Sequence, residues 1–116
     1  MVERPMKTNL SRIADETSVR KGRVKRLIRA EEKKGNLATM NYARLEKDME
    51  VEAHSHPDSE EFYLFLEGKG EMGVDDRKFD VGTGDLVTIL PNQTHALGNP
   101  HKPSLVFITI RVIKGV

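Results

Sequence analysis

The chain has 116 residues, 37% of them hydrophobic and 32% charged, which is enough apolar mass for one core and little length for a second domain. It has no cysteine, so disulfide scaffolds, thiolate zinc sites and cysteine nucleophiles are excluded. The net charge of +1 hides an asymmetry: residues 1–34 carry eleven Lys/Arg against five Asp/Glu, a net of +6, and residues 35–116 carry a net of −5, so only the first third suits a polyanion.

The longest nearly unbroken apolar run, Phe62–Leu66, is five residues long, whereas a membrane span needs about 20. The first ten residues lack the apolar centre of a secretory signal. These features read as a soluble, cytoplasmic protein.

Residues 1–22 show no sustained period. Thr8 or Asn9 is a candidate cap for a short helix through Ile13, against which Gly22 and the scattered charges count. From Arg23 to Ala30 the apolar positions fit either one helical face or a short strand, and a strand is preferred. Glu31–Asn36 reads as a loop. Strands are then expected at Leu37–Leu45, Glu50–His56 and Glu61–Leu66, the last closed by Gly68-Lys69-Gly70. Glu71–Val74 and Arg77–Val81 form a hairpin about Asp75-Asp76. Gly82-Thr83-Gly84-Asp85 is a turn, Leu86–Leu90 a strand, Pro91-Asn92-Gln93 a break and Leu105–Val112 the last strand. Short strands with turn signals this frequent predict an all-β sandwich or barrel.

The chemistry concentrates in four histidines, His54, His56, His95 and His101. On a strand, the spacing of His54 and His56 places both imidazoles on one face, about 6.5–7 Å apart. Glu61 follows five residues later, and His95 comes after the Pro91-Asn92 turn. Three imidazoles and a carboxylate suit one divalent transition metal, Fe, Mn, Ni, Cu or Zn, and on an octahedral ion they leave two positions open.

The segment from His54-Ser55-His56 through Glu61 to Gly68 resembles the first motif of the cupin superfamily, G-x5-H-x-H-x3–4-E-x6-G. The segment from Gly84 through Leu90-Pro91-Asn92 to His95 and Asn99 resembles the second, G-x5-P-x-G-x2-H-x3-N. Three positions depart from the pattern. Asp48 and Asn92 replace glycines, and Leu90 stands where proline is expected. Asp and Asn are the non-glycine residues that best tolerate a left-handed backbone, and none of the three is a ligand position.

The resemblance implies an antiparallel double-stranded β-helix, a jelly-roll barrel over residues 23–116, with residues 1–22 as an N-terminal extension that is flexible or exchanged between subunits of a homodimer. It implies a metal held by His54, His56, Glu61 and His95. The expected partner is a small anionic, oxygen-chelating molecule. The expected activity is that of an oxygenase of the dioxygenase type, with an isomerase, epimerase or decarboxylase, or a non-catalytic ligand sensor, as alternatives. Tyr63 and Phe65 alternate with Glu61 and share its face, which makes Tyr63 a candidate pocket-lining donor. Met40, Met72 and Phe107 are further cavity candidates. Glu60 points away from the site, and His101 reads as an exposed loop residue. The run Arg20–Arg26 reads as a solvated face. It lacks interleaved aromatics, so nucleic-acid binding is not expected.

Overall fold

The computed structural model describes residues 6–17, 22–30 and 35–113. A 3-10 turn at Leu10–Arg12 is capped by Asn9, whose Oδ1 accepts a 2.9 Å hydrogen bond from the Ser11 amide. Ten strands follow among the described residues: β1 (Glu16–Thr17), β2 (Arg23–Ile28), β3 (Leu37–Leu45), β4 (Glu50–His54), β5 (Ser59–Glu67), β6 (Lys69–Val74), β7 (Arg77–Gly82), β8 (Leu86–Ile89), β9 (His95–Gly98) and β10 (Leu105–Ile113). They form two antiparallel sheets, one in the order β1-β2-β3-β10-β5-β8 and the other β4-β9-β6-β7. The two sheets face each other as a jelly roll without closing into a continuous hydrogen-bonded barrel. No helix among the described residues is long and apolar enough to cross a membrane.

Alternation along β5 sets the interior. Ser59, Glu61, Tyr63 and Phe65 are buried, and the residues between them face outward, as a period of two requires. Strand β10 lies between β3 and β5 and pairs with both. Its registers align Val24, Ala43, Phe107 and Phe65 in one inward row and Arg26, Asn41, Thr109 and Tyr63 in the next. The apolar row joins Leu45, Met72, Ile89, Leu97 and Leu105, each at most 2% exposed, in one core between the sheets. Burying each of the larger of these side chains contributes about 1.5–3 kcal/mol.

Three positions of left-handed backbone confirm how the turns are built. Asp48 (φ 69°) and Asn92 (φ 70°) stand where the resemblance expects glycine, and both adopt the conformation that asparagine and aspartate tolerate best. Gly68 (φ 86°) makes a one-residue turn between β5 and β6. A Cβ there would overlap the Ser104 carbonyl oxygen, so neither the backbone angle nor the space admits a side chain. Asn99 is 1% exposed. Its Nδ2 donates to the carbonyls of Leu45 (2.9 Å) and Pro103 (3.3 Å), and its Oδ1 accepts from the His101 amide (2.9 Å). It therefore ties the end of β3 to the loop before β10.

Several expectations need correction. Strand β4 ends at His54, so His56 lies in the following loop and not on the strand. The β4–β9 register shifts between Val51 and His54. The extra residue defeats simple alternation and turns both Val51 and His54 toward the interior. Strand β9 arises from the stretch after Pro91-Asn92-Gln93, where no strand was expected. Its four residues carry too short a pattern to stand out without the β4 and β6 neighbours that hold it. Strand β6 begins at Lys69, inside the expected turn. The run Arg20–Arg26 is not wholly a solvated face: residues 20 and 21 lie outside the described residues, but Arg26 lies in the inward row.

Replacing Gly68 with alanine is expected to lower the unfolding free energy by about 2 kcal/mol or more. Asp48→Gly is expected to stay within about 1 kcal/mol of the parent, because the native angle suits glycine. Urea denaturation of the two variants checks both values.

Candidate metal centre

Apart from Asn99, the buried polar residues gather at one place. Ser59, Glu61, His95 and Thr109 are each at most 7% exposed. Strand β5 brings Glu61 inward. The register sets His54 of β4 opposite His95 of β9, and the amide of Asn92 donates to the His56 carbonyl at 2.8 Å. The left-handed turn before β9 thus anchors the loop that carries His56. One ligating atom from each of His54, His56, Glu61 and His95 lies within 4.8 Å of all the others. The ring centroids stand 4.2 Å apart for His54–His95, 5.0 Å for His54–His56 and 5.7 Å for His56–His95. Donors bound to one ion at about 2.1 Å lie no more than about 4.2 Å apart, so side-chain adjustments of a few tenths of an ångström bring all four onto one ion.

Hydrogen-bond accounting supports the fit. His54 Nδ1 lies 2.8 Å from the Glu52 carbonyl, and His95 Nδ1 lies 3.0 Å from the Gln93 carbonyl. A carbonyl only accepts, so each Nδ1 carries the proton and each Nε2 is turned to the centre. Backbone acceptors of this kind orient metal-binding imidazoles. His95 Nε2 in turn lies 2.9 Å from Glu61 Oε1, and His56 Nε2 lies 3.4 Å from the same oxygen. The buried His95 ring therefore faces an acceptor at both nitrogens. A cation placed between Nε2 and the carboxylate would satisfy both. Burial raises the pKa of the Glu61 carboxyl, but hydrogen bonds and charge from His56 and His95 together outweigh burial and hold it at about 2. It is ionised at neutral pH, as a metal ligand must be.

The cluster opens into a cavity of about 220 Å3. Tyr63 and Phe107 form its apolar wall, as does Val51. Tyr63 is 2% exposed, stacks on Phe107 at 5.6 Å and meets the His95 ring edge-on at 5.9 Å. The sheet floor adds apolar Val24, Ala43 and Leu45, and its polar part has Arg26, Asn41, Thr109 and Arg111. None of these four is singled out by the sequence, because only the β2–β3–β10 registers bring them beside the cluster. Of the other candidates, Phe107 lines the cavity. Met72 lies in the core. Met40 pairs with Ile110 on the outward face of its sheet. His101 is exposed, outside the cluster.

Titrating metal-free protein with Mn(II) or Zn(II) is expected to show one equivalent bound, with thermal stabilisation of about 2.7 kcal/mol at a hundredfold excess over Kd. In the His54→Ala/His95→Ala variant both effects are expected to vanish. Plasma mass spectrometry and differential scanning calorimetry read the two quantities.

The sequence profile of the Cupin domain family matches residues 41–111. A 46-residue stretch is 46% identical to an uncharacterized protein of Methanocaldococcus jannaschii, a match that covers 40% of this chain and 37% of that protein. The fold is similar to that of a predicted oxalate decarboxylase from Thermotoga maritima, with a TM-score of 0.85, 21% identity and coverage of 94% of this chain and 100% of that one. It is similar as well to a Cupin 2 conserved barrel domain protein from Salinispora arenicola, with a TM-score of 0.74, 19% identity and coverage of 96% and 87%. The cupin domain of Schizosaccharomyces pombe Cnp3 superposes with a TM-score of 0.79 at 11% identity, over 96% of this chain and 71% of that one. With the jelly roll, the two motifs and the converging His/Glu cluster in agreement with the family match, the chain belongs to the cupin domain family.

Proposed function

We propose that this cupin is a metal-dependent enzyme acting on a small anionic, oxygen-chelating molecule, with one divalent transition metal held by His54, His56, Glu61 and His95 and a reaction of the dioxygenase type. The observation that carries the reading is that three residues of the cluster, His54, His56 and Glu61, form part of the cavity wall. Structural metal sites are closed by their own ligands, whereas catalytic sites keep positions open. Three neutral imidazoles and one carboxylate leave a divalent ion with a formal charge of +1, which favours an anionic chelator. When bound, the metal supplies Lewis acidity, and Fe or Mn supplies in addition the capacity to activate dioxygen.

The chain's own residues do the rest. The carbonyls of Glu52 and Gln93 fix the ring orientation of His54 and His95. Phe107 and Val51 keep bulk water from one side of the cavity, which strengthens every polar interaction inside it. The Tyr63 phenol is assigned as a hydrogen-bond donor to the ligand from that same wall. A decarboxylase or isomerase uses the same Lewis acidity without oxygen, and similarity to the predicted oxalate decarboxylase of Thermotoga maritima supports that second reading at the level of fold.

A homodimer is also proposed. The outward face of the larger sheet aligns Tyr42, Ile108, Leu64 and Leu86 in one row, with Leu64 39% and Leu86 62% exposed. An apolar row of this kind on a sheet that ends in an unpaired edge suits a second copy of the chain. Light scattering is expected to give twice the chain mass, reduced to one chain by Leu64→Asp/Leu86→Asp. A single-chain mass for the parent protein removes the dimer.

With Fe(II) or Mn(II) added, screening hydroxy acids, keto acids and catechols is expected to reveal turnover coupled to oxygen uptake, abolished by His56→Ala. Tyr63→Phe is expected to keep the metal and lose about tenfold in kcat/KM. Turnover without oxygen uptake shifts the assignment to a decarboxylase or isomerase. Binding without turnover across the panel shifts it to a ligand sensor.

A further inference from the structure

The cavity has two charged ends. At one end stand His54, His56 and Glu61, with His95 2.9 Å from the Glu61 carboxylate. Arg26 lines the same cavity from β2, a strand outside residues 41–111 of the family match. The register places Arg26 opposite Asn41, Asn41 opposite Thr109, and Thr109 opposite Tyr63. These four residues form one inward row across β2, β3, β10 and β5. Three strand spacings separate the backbone of Arg26 from that of Tyr63, about 14 Å.

The partners of Arg26 leave its charge available. Its side chain is 31% exposed. Its ion pair is with Glu16, at 3.9 Å from Nε, and the other carboxylate oxygen of Glu16 is held by Arg29. The two terminal nitrogens of Arg26 have no hydrogen-bond acceptor among the described residues. Those nitrogens form the fork that grips a carboxylate in bidentate fashion. Arg111 also lines the cavity, but its guanidinium is committed to Ser59 Oγ (3.3 Å) and Asp58 (3.7 Å) beside the cluster. Between the two ends, Asn41 Oδ1 is buried and accepts no hydrogen bond, while its Nδ2 contacts Thr109 Oγ1 at 3.4 Å. A buried acceptor without a donor is costly, and it asks for an O–H from whatever occupies the row.

We infer that the cavity is built for a hydroxylated dicarboxylate, chelated by one end at the metal centre, hydrogen-bonded along its middle by Asn41, and held at its far carboxylate by Arg26. This rests on the metal-centre reading above and names its substrate class. The cavity volume of about 220 Å3 corresponds to roughly seven waters, which suits an acid of four to six carbons. The second carboxylate, and not the chelating head, is the part that Arg26 recognises.

Matched probes isolate that carboxylate. Tartrate and threonate share a chelating head and length and differ at the terminal group, as do glucarate and gluconate. Calorimetric titration of Mn(II)-loaded protein is expected to show at least one diacid binding about tenfold or more tighter than its monoacid partner. Arg26→Gln is expected to remove that difference while leaving monoacid affinity, metal content and melting temperature unchanged. Asn41→Leu is expected to weaken every hydroxylated probe. Monoacids that bind as well as diacids overturn the inference and leave the metal-centre reading standing, as does an Arg26→Gln variant that weakens both members of a pair equally. If no probe binds at all, the inference and the anionic-chelator reading fall together.

Discussion

The carboxylate of Glu61 is the constraint around which the interior is arranged. An ion taken out of water costs several kcal/mol unless opposite charge and hydrogen bonds compensate it. Here it is compensated on one side by His95 at 2.9 Å and His56 at 3.4 Å. Those imidazoles are themselves held, His95 through the Gln93 carbonyl and His56 through a backbone bond from Asn92. The turn before β9 is thus part of the site although it contributes no ligand. A metal ion would complete the arrangement, because it would satisfy the carboxylate and all three imidazoles at once.

The two sheets divide the work. The larger one supplies a floor of four strands with side chains in registered rows, one apolar and one polar. The smaller one brings His54 and His95 from opposed positions on adjacent strands. Neither sheet holds the cluster alone. The bulge in β4 is what lets the smaller sheet contribute: with perfect alternation, Val51 and His54, three residues apart, would face opposite ways. The apolar wall of Tyr63, Phe65 and Phe107 then separates the polar chamber from the rest of the core. Their rings pack at 5.6 to 6.2 Å, so the cavity has one wall that resists collapse.

Much of this was legible in the sequence for identifiable reasons. The period of two in Glu61-Phe62-Tyr63-Leu64-Phe65 announced the inward face of β5, and burial follows it residue by residue. Asp48 and Asn92 looked like tolerable replacements for glycine, and both take up positive φ. The three histidines and Glu61 could be grouped because their spacing resembles a family pattern. What failed did so where a pattern was too short or a local irregularity intervened. Strand β9 has four residues, and the bulge in β4 breaks the alternation that would have carried the strand to His56. Arg26 sat in a run of basic residues that ordinarily means a solvated face. Its inward direction depends on pairing with Asn41, fifteen positions away.

The sequence by itself determined the strand-rich class, the residues able to ligate a metal and the turns, because these depend on local periodicity, side-chain chemistry and backbone tolerance. Only the tertiary structure decided which side chains share the cavity. Cross-strand register joins Arg26, Asn41, Thr109 and Tyr63 from four strands, two of them at opposite ends of the chain. That register is set by the packing of one sheet on the other, which no local stretch of sequence encodes.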